Sequence, residues 1–373
     1  MRVLYISEDY PYSKVHHELC KHIVEGEDIR MTLYSVIRSG IKNRDLRALY
    51  NNINYKTLFY ELDVNEWRYK VDFYYKIQKK YDWLVQHDLS DVTMVHAATL
   101  FSEGAVALKL YKEKGIPYIV AVRGTDINFY FKYMFHLWNL GTEILQCAKD
   151  VIFLTDKSCE VLLYNKGVKK IKDILNAKKH ILPNGIDNFW IKNAQQCNRN
   201  LIPYRLLYIG MFDKNKNIIS LLHVILELRN LYPELQLSLV GGGGDCHEKV
   251  LEYCYKYPTI FEYKGKIYEK EILCKLIREH DIFTMVSHSE TFGLVYLEAL
   301  SQGLPILYTK GQGIDGVFID NVGEGVNSHD VNDIFAGLQK IIENYTSYYW
   351  NRNIVKYFSW PSIASLYRTI YLK

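Results

Sequence analysis

The chain has 373 residues, 49% of them hydrophobic, which is enough to bury a large core and long enough that one core is expected to divide into two. With 46 Lys and Arg against 42 Asp and Glu, no global field drives non-specific nucleic-acid binding, so nucleic acid is not an expected partner and any anionic ligand must be met locally. Seven cysteines, an odd total with no CxxC pair, argue against a disulfide framework and a structural zinc site and fit a reducing, cytoplasmic setting.

The N-terminus opens on a short apolar run, "RVLYIS" (2–7), too brief for a signal-peptide core, and no stretch reaches the roughly 18 to 20 apolar residues of a membrane span. Further runs follow at "VTMVHA" (92–97), "YIVAV" (118–122), "DVIFLT" (150–155), "RLLYIG" (205–210), "LQLSLVG" (235–241) and "DIFTMVS" (281–287). Amphipathic segments such as "SEGAVALKLYKEKG" and "EKEILCKLIREHD" separate them. Continuous apolar strands alternating with helices mark parallel sheets covered on both faces, hence a doubly wound α/β fold. The Tyr-rich, highly charged stretch 42–90 reads as mostly helical. Residues 180–205, broken by Pro183, Asn184 and Gly185, read as a linker. The domains are therefore expected at 1–185, with 356–373 packing back on the first, and at 186–355.

Ligands of open parallel sheets bind beyond the carboxyl ends of the strands. "LVGGGGD" (239–245) puts Gly242 at such an end, where a ligand approaches backbone without meeting Cβ atoms. "TMVSHSETFGLVYLEAL" does more: Thr291 is a plausible N-cap, a helix is expected from Phe292 until Gly303 and Pro305, and the N–H groups of Phe292, Gly293 and Leu294 would hold a phosphate. Glu290 would precede that pocket, and Glu298, seven residues past Thr291, would lie two helical turns or roughly 10 Å along the same face. No HxxxH or Cys/His cluster indicates a catalytic metal.

The two glutamates resemble the E-x7-E motif of retaining glycosyltransferases with the GT-B fold, especially family 4. The resemblance extends in order along the chain: "AVRGTDI" (121–127), "ILPNGID" (181–187), "YIGMFDKNKN" (208–217), "LVGGGGD", "FEYKGKI" (261–267), "SHSETFGLVYLEALSQGLPI", and the closing helix "FSWPSIASLYRTIY" (358–371). It implies two Rossmann-like domains facing each other across a cleft, and transfer of a sugar, with retention, from a nucleoside diphosphate, most often UDP, to an acceptor hydroxyl. Glu290 would meet hydroxyls of the transferred sugar and Glu298 the ribose hydroxyls, each carboxylate accepting charge-assisted hydrogen bonds. Lys216 would oppose charge growing on the departing phosphate. The base would lie against backbone from Gly265 to Ile267, and Gly210 would border the diphosphate.

Two positions depart from the family pattern. Met211 follows Gly210 where the family carries Arg, so Lys214 or Arg123 is a candidate substitute; Arg123 itself replaces the family's His in "HGTD" and is assigned to the catalytic set. Asp126 either contributes to the donor site, orients Arg123 or caps the next helix. Ser13, His16 and His96 are candidate acceptor contacts, the rival for the first two being an ordinary helix cap with surface histidines. The expected acceptor is a saccharide or lipid-linked sugar of bacterial cell-surface polysaccharide or glycolipid synthesis. Basic and aromatic residues in 42–50 and 67–83 would suit peripheral contact with the inner membrane face. The alternative reading is a catalytically silent relative acting as a binding or regulatory subunit.

Overall fold

The computed structural model describes residues 1–26, 28–38, 47, 50, 54–62, 67–195, 203–350 and 352–373, and the chain divides into two units, 1–185 with 360–373, and 186–359. Unit 1 carries a seven-stranded sheet: β1 (Arg2–Ile6), β2 (Arg30–Arg38), β3 (Lys56–Leu62), β4 (Met94–Ala97), β5 (Tyr118–Val122), β6 (Asp150–Phe153) and β7 (Lys179–Ile181). Their order is β3-β2-β1-β4-β5-β6-β7, every pair parallel. Unit 2 carries six strands: β8 (Arg205–Gly210), β9 (Gln236–Gly241), β10 (Phe261–Gly265), β11 (Ile282–Thr284), β12 (Ile306–Thr309) and β13 (Gly323–Val326). They are ordered β10-β9-β8-β11-β12-β13, again all parallel. In both sheets the order reverses beside the first strand, between β1 and β4 and between β8 and β11, which opens a crevice at those carboxyl ends.

β1 shows why the strands are apolar throughout. Val3 and Tyr5 pack into one core with the Lys14–Val24 and Trp360–Tyr371 helices, while Leu4 and Ile6 enter the opposite core with the Phe73–Leu84 and Ser102–Lys114 helices. Each such side chain contributes about 1.5–3 kcal/mol on burial. The final helix buries Trp360, Ile363, Ala364, Tyr367, Ile370 and Tyr371 along one stripe of helical spacing against unit 1. Gly185 lies flat under the Trp360 ring, where any Cβ would collide.

Two expectations change. Residues 180–205 are not a bare linker: β7 closes the first sheet, Ile186 donates to the Phe358 carbonyl, and Asp187 caps a helix at Asn188–Lys192. These elements are three and five residues long, too short to show a period. Within 42–90, Lys56–Leu62 is strand β3, paired along its length with β2; Tyr60 and Tyr34 both stack on Trp83. The helical reading of 42–46, 48–49, 51–53 and 63–66 lies outside the described residues, as does most of the proposed membrane segment at 42–50.

Candidate active site

The crevice of unit 2 gathers most of the predicted donor residues. Gly210 ends β8, Gly242 follows β9, Gly265 ends β10 and Ile267 lies two residues on, so all four border adjacent strand ends. β8 and β9 approach so closely that a Cβ on Gly241, whose φ is 135°, would strike the Gly210 carbonyl. After β11 the chain loops to Glu290, and after β8 to Lys216. These loops are laced together: the Asn215 side chain donates to the Ser289 carbonyl (2.9 Å) and accepts the Ser289 N–H (3.0 Å), and His288 N–H donates to the Asn215 carbonyl (2.7 Å). The result is an ion pair of 2.6 Å between Lys216 Nζ and Glu290 Oε2, both side chains largely withdrawn from solvent. Glu290 is pinned further by Gln312, which accepts its N–H (3.2 Å), and by Gly313, which donates to its carbonyl (3.0 Å). Asn215, Gln312 and Gly313 carried no local signal in the sequence; only the crossing of two loops gives them a role.

Thr291 is not the N-cap. It is exposed, and the helix runs Leu294–Ser301, capped at Gly293. Gly293 holds φ 79°, and a Cβ there would sit 2.5 Å from the Tyr296 ring, so the chain turns where only glycine fits. Phe292, buried and near the Phe358 ring, precedes the helix and does not begin it. Tyr296 N–H already donates to the Gly293 carbonyl, leaving Leu294 and Val295 to present the first-turn N–H groups. Glu298 is thus four residues from the helix start, about 6 Å along the axis, and not two full turns from the opening.

Glu298 is part-buried beside two charged side chains, Lys270 and Asp187. Burial pushes its carboxyl from 4.5 up to about 7, with Lys270 pulling down and Asp187 pushing up. Lys270 and Asp187 themselves form an ion pair. Neither was anticipated. Met211 is 45% exposed and accepts a bond from Tyr208 only through its backbone. Lys214, the first candidate to replace the missing arginine, pairs with Asp245 at 3.4 Å on the surface.

The crevice of unit 1 is of another kind. The Tyr5 hydroxyl bonds His16 Nδ1 at 2.7 Å, and Tyr371 bonds His96 Nδ1. Both histidines are buried, which for His16 removes the rival reading of a surface histidine beside Ser13. Desolvation, reinforced by Arg123, depresses His16 from 6.5 to about 3 and His96 well below its usual range, so both are neutral. Ser13 accepts the Val15 N–H at 3.4 Å as helix cap. Arg123 Nε donates to the Ala98 carbonyl at 3.1 Å. Asp126 is buried with its carboxylate occupied by the N–H groups of Arg123 (2.8 Å), Leu100 (3.1 Å) and Phe101 (3.1 Å). Nearby, buried Lys80 bonds Glu8, whose N–H donates to Glu103 at 3.0 Å; burial lowers Lys80 and raises Glu103.

Residues 191–356 match the family model of glycosyl transferases group 1. An uncharacterised 41.2 kDa protein of the Klebsiella pneumoniae cps region is 28% identical over 165 residues, 43% of either chain. The glycogen synthase of Mycobacterium tuberculosis is 23% identical over 201 residues, 52% of this chain and 48% of the relative. The matched region thus spans about half the length of these relatives or less. Sucrose-phosphate synthase from Thermosynechococcus elongatus superposes with TM-score 0.73 over 100% of this chain and 99% of its own at 17% identity. Anabaena HepE, solved in complex with UDP-glucose, gives 0.65 over 100% and 99% at 14%. The chain has the GT-B fold, two parallel-sheet Rossmann-like domains, and its likeness in sequence over 191–356 and in fold over its whole length is to glycosyltransferases.

Proposed function

We propose that the protein is a retaining, metal-independent glycosyltransferase of family 4, using a nucleoside-diphosphate sugar, with UDP-sugar as the preferred donor. The observation that carries this reading is the Lys216–Glu290 pair beside the Gly293 turn, with Glu298 one helical turn inside. In the proposed complex the diphosphate rests at the Leu294 end of the helix, where N–H groups and the macrodipole favour negative charge. The Lys216 ammonium then shifts from Glu290 toward the phosphate as the glycosidic bond breaks. That frees the Glu290 carboxylate to accept hydrogen bonds from sugar hydroxyls, while ionised Glu298 accepts from the ribose. A cation fixed where leaving-group charge grows lowers the barrier selectively, because it gains more from the transition state than from the bound donor.

The donor complex of HepE supports a UDP-sugar, and the reading takes cell-surface polysaccharide or glycolipid as the product, with a saccharide or lipid-linked acceptor. No helix among the described residues is long and apolar enough to cross a membrane. We place the enzyme in the cytoplasm, in peripheral contact with the inner membrane face. A thermal-shift screen of UDP-, GDP- and ADP-sugars, followed by nucleotide release without acceptor, tests the proposal. Stabilisation and slow hydrolysis with one donor are expected; neither binding nor turnover with any donor would support the silent subunit.

A further inference from the structure

Unit 1 exposes four large rings beside a set of unpaired lysines. Phe129 is 46% exposed, Tyr133 58%, Phe135 63% and Tyr164 79%. The segments that carry them are joined: the Phe131 carbonyl accepts from the Trp138 indole (3.1 Å) and the Asn165 amide (3.4 Å), and the Thr142 hydroxyl donates to the Gly167 carbonyl (2.8 Å). Residues 127–138 and 161–172 carry Lys132, Lys166, Lys169, Lys170 and Lys172 and not one Asp or Glu. All five lysines are exposed, and among the described residues none forms an ion pair. Lysines on neighbouring helices do pair: Lys109 with Glu113 (3.4 Å), Lys112 with Glu143 (2.5 Å) and Lys157 with Glu160 (3.0 Å). Lys132 and Lys172 lie instead over the Tyr133 and Tyr164 rings, at 5.2 and 5.6 Å.

Exposed rings gathered on two joined segments mark a surface that something covers, and unpaired ammonium groups beside them favour an anionic occupant. An anionic bilayer satisfies both, since aromatic rings settle at headgroup depth while lysines meet phosphates. We propose that this face docks on an anionic membrane. It rests on the peripheral contact proposed above only for its biological setting, and it gives that contact a location distinct from 42–50 and 67–83. The patch begins six residues beyond Arg123, so docking brings the bilayer to the same unit that ends β5 at the crevice.

Sedimentation of the full chain with phosphatidylcholine vesicles, with and without phosphatidylglycerol, tests this without any donor. Binding is expected only when phosphatidylglycerol is present. The variant K166Q/K169Q/K170Q should partition ~100-fold less, about fivefold per lysine, and F135S/Y164S about tenfold less. Both variants should melt with the parent, since all five side chains are exposed, and both should keep donor binding. No sedimentation with phosphatidylglycerol vesicles, or undiminished binding by the lysine variant, would overturn the inference. So would stronger retention on immobilised polyglutamate than on vesicles, which would indicate an acidic protein partner. Because sedimentation and donor binding are separate readouts, failure of the transferase reading would not imitate failure of this one.

Discussion

The two crevices lie at equivalent reversals of strand order, yet they are finished differently. In unit 1 the polar groups at the strand ends are sealed beneath the Lys14–Val24 and Trp360–Tyr371 helices, with tyrosine hydroxyls bonding Nδ1 of His16 and of His96, while His96 Nε2 is buried without a hydrogen-bond partner. In unit 2 the charged pair Lys216–Glu290 hangs on loops held by Asn215 and Gln312, and Glu298 is withdrawn from water with no full counter-charge. Sealed and mutually bonded groups mainly hold a structure together. Groups left short of partners, at the mouth of a sheet and on braced loops, are available to a ligand. Mutations should therefore separate the crevices by what they damage.

The largest effects are expected for Lys216→Ala and Glu290→Gln, each lowering kcat by about 10²–10³-fold in steady-state assays while changing stability by less than about 1 kcal/mol. Equal losses of activity and stability would erase the contrast. In unit 1, His96→Ala should destabilise by about 3 kcal/mol in denaturant titrations, through the lost ring and the orphaned Tyr371 hydroxyl, and leave donor affinity unchanged.

Glu298 sharpens the comparison through pH. Its folded carboxyl titrates near 7 and its unfolded one near 4.5, so the folded state holds the proton more tightly. The associated stability is complete below about pH 4.5 and lost as pH rises through about 7. Glu298→Gln should thus exceed the parent by about 1–3 kcal/mol at about pH 8 and differ little at about pH 5. Donor binding should run the other way: the parent tightens as the carboxyl ionises between about pH 6 and 8, and the variant stays flat. The smallest effect belongs to Met211→Ala, less than about twofold in kcat/KM because the thioether donates no hydrogen bond. Arg123→Ala, by contrast, should cost about tenfold or more if it takes over phosphate binding; equal tolerance of both changes would refute that substitution.

The parallel α/β architecture was legible because strands buried on both faces, such as "YIVAV" and "RLLYIG", are apolar without interruption. β2 and β3 escaped because "RMTLYSVIR" and "KTLFYEL" mix polar residues into strands near or at the sheet edge. In the site, the glutamates and Lys216 could be picked out through resemblance, and Gly293 lay within the expected phosphate pocket. The supporting shell could not be read: Asn215 braces Ser289 across 74 residues, and Lys80 meets Glu8 across 72. Such partners follow from where loops cross, which no local period encodes. The cap was misassigned for a related reason. Thr291 has the right chemistry, but the Tyr296 ring packed against Gly293 decides where the helix starts.

Trp360, Ile363, Tyr367 and Tyr371 complete a core whose other walls come from the first 185 residues. On the ribosome, the earlier unit must therefore wait with an uncovered apolar flank and an unanswered His96 while all of the later unit is synthesised. Truncation just before Trp360 should consequently expose the product to chaperones and proteases through its amino-terminal half, far along the sequence from the cut.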